Sequence, residues 1–207
     1  MPVTAQNAAQ TLAPAPRITG SVMYAPVGTA LPTSSYATVN SGFTDLGWVD
    51  EAGLKQKEDR TNTNVFGWGG GLIDSLQEHY LRSLSFKLYQ VLNPNVLATA
   101  YGHNNVTVTG PTSMNGTEIA VANNPQLLDT LSWVFDGNYV TAAGYEALIR
   151  VVIPTGRVLT IGDVDMTSKA LVSIDITSLM TFADSNGNYS YIYVNDGVTT
   201  GGHVGGS

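Results

Sequence analysis

The chain of 207 residues contains no cysteine. This absence excludes a disulfide framework, a thiolate nucleophile and a cysteine-based zinc site, and it is in keeping with a cytosolic environment. Three histidines are present, but none has a second histidine or a carboxylate at the spacing typical of metal ligands. We therefore expect no metal and no cofactor.

Charge is scarce as well. Charged residues make up 12% of the chain, against roughly 25% in ordinary globular domains. The net charge is −7, from 16 acidic and 9 basic residues, and no two basic residues are adjacent. This distribution argues against tight binding to nucleic acid, which needs clustered lysine and arginine. A weakly charged surface instead favours a protein that packs against copies of itself.

Long hydrophobic runs are missing, since no segment approaches the roughly 18 to 20 apolar residues of a membrane helix. The first residues, MPVTAQNAAQTLAPAPR, also lack the basic and apolar regions of a signal peptide. We expect no membrane partner. Residues 1–19 are predicted to form an extended arm, 20–196 a single domain, and 197–207 a flexible tail.

Motifs that would carry catalysis are also lacking. The glycines of FGWGGG are not followed by the GK[ST] of a phosphate loop, so this segment predicts a bend between strands or close backbone packing beside Trp68. DSNGNYS resembles the start of a calcium loop, but Tyr189 stands where glycine is needed and Asn195 where a bidentate glutamate is needed. There is no GxSxG nucleophile elbow. We expect no catalytic residues and no enzyme activity.

Strand patterns dominate what is present. In YLRSLSFKLYQ, the even-numbered residues from Arg82 to Leu88 share one face, and the odd-numbered residues share the other. Six further segments are predicted as strands: NVTVTG, TEIAVA, DTLSWVF, YEALIRVVIP, GRVLTIGDVDM and ALVSIDIT. Turn signals separate them: GPTSMNG, DGN, PTG and SNGN. The Asn186-Gly187 pair predicts a hairpin that joins ITSLMTF to YSYIYV.

One helix is predicted, from Pro94 to Tyr101. Asn93 supplies an N-cap, proline occupies the first helical position and Gly102 stands at the C-cap. A second Asn-Pro pair suggests another short helix over 124–129. Many strands with one or two helices indicate a mainly β fold, an antiparallel β-sandwich or barrel with one flanking short helix.

Residues 20–54 form the most distinctive segment, GSVMYAPVGTALPTSSYATVNSGFTDLGWVDEAGL. Its prolines fix φ and its glycines permit bends, so we expect a shaped connector and not a floppy linker. Its hydrophobic side chains have few partners nearby in sequence. We therefore expect contacts between subunits from Val22, Tyr24, Pro26, Leu31, Pro32, Tyr36 and Trp48.

The order G-S-V-x-x-A-P-x-G-T-x-L-P and then F-T-D-L-G-W-V-D-E-A-G-L resembles the opening of the major tail proteins, or tail tube proteins, of long-tailed bacteriophages with non-contractile tails. The likeness is strongest to those of phages that infect actinobacteria. NVFGWGGG, SFKLYQVLNPNVLATAYG and the block from 144 to 194 fall where that family places similar segments.

The resemblance implies a structural virion protein with the tail tube fold. It further implies hexameric rings that stack into a hollow conduit, with sheets joined across subunits and a long loop and N-terminal arm reaching adjacent rings. The implied partners are other copies of the chain, the tape-measure protein, the tail terminator and tail-tip proteins, and double-stranded DNA in transient, non-specific passage. The implied location is the virion tail, after assembly in the host cytoplasm.

A conduit for DNA should not hold it by counterion release. We therefore expect a neutral to acidic lumen, lined by Glu58, Asp59, Ser83, Ser85 and Asp175.

A carbohydrate-binding β-sandwich is the main alternative, because it shares the strand pattern. It would need an exposed aromatic platform, whereas Trp48, Trp68 and Trp133 all lie in apolar, strand-like contexts that predict core packing. A glycan-degrading tail enzyme is a third possibility, but no paired carboxylates are identifiable.

Overall fold

Antiparallel strands make up most of the computed structural model, which describes residues 15–16 (as backbone), 21–140, 145–164, 166 and 169–198. The fold is an antiparallel β-sandwich with one α-helix, as predicted. The strands are β1 (Ala15–Pro16), β2 (Val22–Pro26), β3 (Thr44–Asp45), β4 (Lys55–Phe66), β5 (Leu72–Leu88), β6 (Val106–Thr109), β7 (Glu118–Val121), β8 (Leu131–Val140), β9 (Glu146–Ile161), β10 (Ile174–Thr181) and β11 (Tyr191–Asn195). The helix α1 spans Pro94–Tyr101.

Nine strands form one sheet in the order β3-β2-β8-β9-β10-β5-β4, with β1 on β8 and β11 on β9. The strands β6 and β7 form a separate hairpin. The segment after β3 runs to β5, near the opposite end of the strand order. There Val49 bridges Leu88, and the Asp50 amide donates to the Lys87 carbonyl at 3.0 Å. The sheet is therefore curled around a single core.

The core is centred on Trp133 of β8, which is completely buried. Its ring lies 6.0 Å from that of Phe86 in β5 and 6.1 Å from that of Tyr24 in β2, between ring centroids. Val22 and Tyr24 also belong to this core. The prediction that these two connector residues lack partners in their own chain is therefore wrong.

The alternation predicted for β5 is confirmed. Arg82, Leu84, Phe86 and Leu88 are all buried, whereas Leu81 is half exposed. Paired positions on the neighbouring strand β10 continue the same face, since Ile176 lies opposite Phe86 and Ile174 opposite Leu88. The buried side chains of both strands thus cover one side of the core.

The predicted helix is also confirmed, with its caps. The Asn93 side chain accepts from the Asn95 amide at 3.0 Å, and Gly102 has φ of 100°. The second helix, over 124–129, is absent. There the Asn124 side chain accepts from the Gln126 amide at 3.0 Å, so the Asn-Pro pair makes a turn and not a helix start.

Two predicted turns lie inside long strands. DGN is part of β8 and PTG is part of β9. Pro154 sits at a bulge, where the register shifts opposite Ser132, whose hydroxyl donates to the Pro154 carbonyl at 2.6 Å. Gly156 makes room for Trp133, because a Cβ there would lie 3.2 Å from the indole Cδ1.

The turn at Asn186-Gly187 exists, but the hairpin predicted around it does not. Gly187 has φ of 78° and its amide donates to the Asp184 carbonyl at 3.0 Å. The strands on either side both pair with β9, since Thr181 lies opposite Gly156 and Tyr191 opposite Val152. They therefore lie end to end along one edge of β9, with residues 182–190 looped out between them.

Most of the predicted arm and tail lies outside the described residues. Of the arm, the strand β1 pairs with β8, Ala15 opposite Asn138. Of the tail, only residues 197 and 198 are described.

Candidate assembly interface

The hairpin of β4 and β5 projects from the body of the molecule. Every residue of β4 is exposed, and so is β5 from Leu72 to His79. Among the described residues β4 pairs only with β5, and β5 pairs with β10 only from Ser83 onward. This long strand pair has both faces in solvent and one free edge. Such a surface is suited to contact with another molecule, because a single copy of the chain leaves it uncovered.

The end of this hairpin, residues 65–76, is apolar, and we call it the hairpin tip. Its exposed hydrophobic side chains are Val65, Phe66, Trp68, Leu72, Ile73 and Leu76. The turn is fixed by two hydrogen bonds, from the Gly67 amide to the Gly71 carbonyl at 2.8 Å and from the Gly70 amide to the Gly67 carbonyl at 3.0 Å. The tip therefore presents its side chains on a defined backbone.

The base of the hairpin is held by arginines and aromatic rings. Arg82 is buried and donates to Glu58 and Gln56 across the strand pair. The Arg60 guanidinium lies 4.7 Å from the Tyr80 ring centroid, and Tyr80 meets Tyr189 edge to face at 4.8 Å. Since Tyr189 belongs to the loop 182–190, that loop braces the point where the hairpin leaves the body.

Cross-strand pairing decides which predicted lumen residues share a face. Ser83 lies opposite Lys57, Ser85 opposite Lys55, and Asp59 opposite Leu81. Asp175 lies opposite Lys87, which is on the same face of β5 as Ser85. We call this surface of β4, β5 and β10 the outer face.

Glu58 does not belong to the outer face. It lies opposite Arg82, whose side chain points to the other side of the sheet. The five predicted lumen residues therefore cannot all line one wall, because neighbouring residues of a strand point in opposite directions. The outer face is also mixed in charge, since it carries Lys55, Lys57 and Lys87 together with Asp59 and Asp175.

The connector residues have different environments. Val22 and Tyr24 are core residues and Pro32 is buried, so these three are not available at the surface. Leu31 is half-buried and Pro26 is exposed at the end of β2. Tyr36 and Trp48 are exposed by 75% and 65%.

A buried ion pair anchors the connector loop that carries Tyr36. Arg150 of β9 binds Asp136 of β8 through two hydrogen bonds, of 2.6 and 2.7 Å. The remaining nitrogen of Arg150 donates to the carbonyls of Ser34 and Ala37, at 2.9 and 2.6 Å. Loop residues on both sides of Tyr36 are therefore tied to the sheet.

Two partly exposed carboxylates act as loop acceptors. The Tyr89 hydroxyl and the Ala52 amide donate to Asp50 and hold the pKa of its carboxyl below the ordinary value. The Tyr191 hydroxyl, at 2.6 Å, and the amides of Asn188 and Asn186 similarly lower the pKa of Asp184. Asp184 begins the segment that resembles a calcium loop, and here it organises a turn.

The described residues hold no group of three or more histidine, aspartate or glutamate side chains that could bind a metal. No helix among them is long and apolar enough to cross a membrane.

A family model described as phage tail tube protein matches residues 4–200. The chain belongs to this family. No curated protein matches it at a significant level. Membership means that the tail tube protein is a structural component of the phage tail that self-assembles, and the family is not one of enzymes.

For a tail tube protein, the hairpin tip is the largest feature that the sequence did not predict as a contact. Phe66, Trp68 and Ile73 lie there, whereas FGWGGG predicts a bend between strands or close backbone packing beside Trp68. The core assignment of Trp48 and Trp68 is wrong, and only Trp133 is buried. A signal for this exposed tip was present in the sequence. Apolar residues surround a glycine turn there, and the strand before it has no apolar alternation that would bury them.

Proposed function

We propose that this tail tube protein forms stacked hexameric rings, which make the hollow conduit of a long, non-contractile phage tail through which genomic DNA passes at ejection. The family match over residues 4–200 carries the proposal. The long exposed hairpin supports it, because a strand pair of this length with a free edge suits contact with further copies.

Lateral contacts use strand edges. The outer edge of β4 has no partner among the described residues. Among the same residues β11 pairs only with β9, so its other edge is also free. Pairing of such edges between neighbouring copies joins their sheets into one barrel and satisfies the free backbone groups. The number of six subunits comes from the resemblance of the sequence.

The outer face lines the channel in this proposal. Its serines, its three lysines and its two aspartates make a wall close to neutral, at the neutral end of the neutral to acidic range expected from the sequence. Fixed cations that are offset by nearby carboxylates give little release of counterions from DNA. Such a wall lets the polymer slide.

The connector and the arm supply contacts between copies. Tyr36 and Trp48 are the exposed aromatic residues of the connector, and Pro26 and Leu31 lie beside its first turn. Aromatic side chains held on a fixed loop lose little entropy when they bind. The N-terminal arm reaches a neighbouring ring.

The proposed partners beyond other copies are the tape-measure protein, on which the tube polymerises, and the tail terminator and tail-tip proteins at its ends. Assembly takes place in the host cytoplasm, and the finished protein resides in the virion tail. DNA is a transient, non-specific partner.

A carbohydrate-binding module is the alternative, and the exposed Trp48 and Trp68 are the observation in its favour. The Trp48 carbonyl accepts from the Tyr89 amide next to the end of β5, whereas Trp68 lies in the turn before β5 begins. Roughly 50 Å of extended strand separates them at about 3.3 Å per residue. They cannot form one sugar-stacking platform.

Sedimentation velocity and negative-stain electron microscopy of the purified chain test the proposal. We expect rings and tubes from the wild type. A variant in which Asn-Gly replaces residues 61–79 should stay monomeric and folded, because Arg60 and Tyr80 are paired and accept a two-residue turn.

A matched control replaces residues 110–117 with Asn-Gly, which shortens the other exposed hairpin between Thr109 and Glu118. This control should still form tubes. A wild-type chain that remains monomeric at all concentrations, or that binds glycans as a monomer, would contradict the proposal.

A further inference from the structure

The hairpin tip carries more apolar surface than its own chain covers. Trp68 is fully exposed, and Phe66 and Ile73 are exposed by 59% and 70%. The only ionisable residue between positions 65 and 76 is Asp74. Clustered aromatic and aliphatic side chains on a fixed turn are typical of an anchor that enters a partner's pocket.

An apolar cleft lies elsewhere on the same chain. It opens between β2, β5, β8, β9 and the segment 49–54, with a volume of about 150 Å³. Its walls include Val22, Leu54, Phe86, Phe135 and Val151. An apolar cavity of about this volume holds one benzene-sized ring.

The cleft has no unbalanced charge among its described lining residues. Asp136 is the ionisable residue there, and Arg150 neutralises it through two hydrogen bonds. An apolar side chain that enters the cleft therefore leaves no newly buried charge without a partner. A lysine or a carboxylate would lack such compensation.

The tip cannot reach the cleft of its own chain. Gln56 lies at the cleft and Phe66 ends the same strand ten residues later, with every residue between them exposed. An extended strand covers about 3.3 Å per residue, so the two are separated by roughly 33 Å. The tip must therefore find its pocket on another molecule.

We propose that Trp68 of one copy inserts the six-membered ring of its indole into this cleft of the next copy, which makes the hairpin tip and the cleft the two halves of one contact. The inference rests on the proposed function, because a family that builds a tube from copies of one chain supplies the second copy. Two different patches that bind each other in this way generate a closed ring or an open head-to-tail polymer, and not a symmetric dimer.

Cysteine cross-linking tests the contact directly, because the chain has no cysteine of its own. The variant Trp68→Cys/Gln56→Cys should give a ladder of covalent oligomers when its tubes, assembled above the higher critical concentration expected without the indole, are mildly oxidised. A disulfide within one chain is excluded, since it needs the two Cβ atoms within about 4.5 Å. Each single variant should give no species larger than a dimer.

The variant Val108→Cys/Gln56→Cys is the control, because Val108 is an exposed apolar residue on the other hairpin. It should give no ladder. Trp68→Ala should raise the critical concentration for tubes by about tenfold or more, as expected for a central aromatic anchor. Leu92→Ala, at a similarly exposed position, should leave it unchanged.

The inference and the proposed function fail in different ways. Normal tubes that show no cross-link in Trp68→Cys/Gln56→Cys, and an unchanged critical concentration for Trp68→Ala, would overturn the inference alone. A cross-link from Ala9→Cys to Gln56→Cys in place of Trp68→Cys would also overturn it, because the cleft would then hold the N-terminal segment. A wild-type chain without tubes would overturn the function itself.

Discussion

Arg150 and Asp136 form an ion pair across β8 and β9, with both side chains almost completely buried. The same guanidinium donates to the carbonyls of Ser34 and Ala37, so it links the sheet to a surface loop more than a hundred positions earlier in the chain. A planar group with several donors is required here, and lysine cannot replace it.

Arg150→Met should destabilise the fold by about 3 to 5 kcal/mol, because Asp136 is left buried without a counter-charge. Urea denaturation of the monomer measures this change. Arg60→Met is the matched control: Arg60 is exposed, and exposed ion pairs contribute only about 0 to 1 kcal/mol.

The double variant Arg150→Met/Asp136→Leu should recover part of the loss, because it removes both buried charges. Equal losses in Arg150→Met and Arg60→Met would show that the buried pair has no special role.

Leu84 and Leu81 offer a comparison within one strand. Leu84→Ala should cost about 2 to 5 kcal/mol in unfolding free energy, since Leu84 lies in the core with 1% of its surface exposed. Leu81→Ala should change the unfolding free energy by no more than about 0.5 kcal/mol, because Leu81 is on the outer face. Thermal or urea unfolding of the two variants measures both, and a comparable loss in each would refute the assignment of faces.

The strand β5 could be predicted because half of it alternates between core and solvent. The helix α1 could be predicted because its capping residues act locally. The strand β4 could not, because both of its faces are exposed and no apolar alternation marks it. Its stability comes from backbone pairing with β5 in a hairpin, which leaves little trace in the side-chain pattern of β4.

Local turn signals gave wrong predictions where tertiary contacts decided the backbone conformation. Pro154 and Gly156 stand inside β9, one at a bulge and the other under the Trp133 ring. The sequence predicts contacts between subunits for Val22 and Tyr24 because their core partners, including Trp133, are distant in sequence. The contact surface at the hairpin tip was not predicted either. Whether its apolar side chains are exposed depends on how distant parts of the chain fold, which the local sequence does not show.

Because of Asp184, the stability of the loop 182–190 should vary with pH in the acid range. Its pKa is lowered in the folded state from the ordinary 3.8 by hydrogen bonds from Tyr191, Asn188 and Asn186. The stabilisation is therefore complete above pH 3.8 and is lost as the pH falls through the lowered pKa.

The melting temperature of Asp184→Asn should lie below that of the wild type at pH 6, and the difference should shrink toward pH 2. Tyr191→Phe removes one donor and should weaken the same pH dependence. A difference that is equal at pH 6 and pH 2 would show that the carboxylate charge has no part in it.

The charge of the outer face should control how the tube treats DNA. Asp59→Asn/Asp175→Asn leaves Lys55, Lys57 and Lys87 without the nearby carboxylates. Tubes of this variant should retain double-stranded DNA at low salt, and release it steeply as salt rises. Glu118→Gln/Glu146→Gln makes the same change in net charge outside the outer face, and filter binding should show no retention. Equal retention of DNA by both variants would show that DNA binding depends on the net charge of the subunit and not on the charge of the outer face.

A cryo-electron microscopy map of the tube assembled from the purified chain is the most direct test of the central claim. We predict a hollow tube with the outer face of β4, β5 and β10 toward the channel, so that Asp59, Ser83, Ser85 and Asp175 point into the lumen while Glu58 points into the wall. A map in which α1 or the connector lines the channel, or in which no continuous channel exists, would contradict the account.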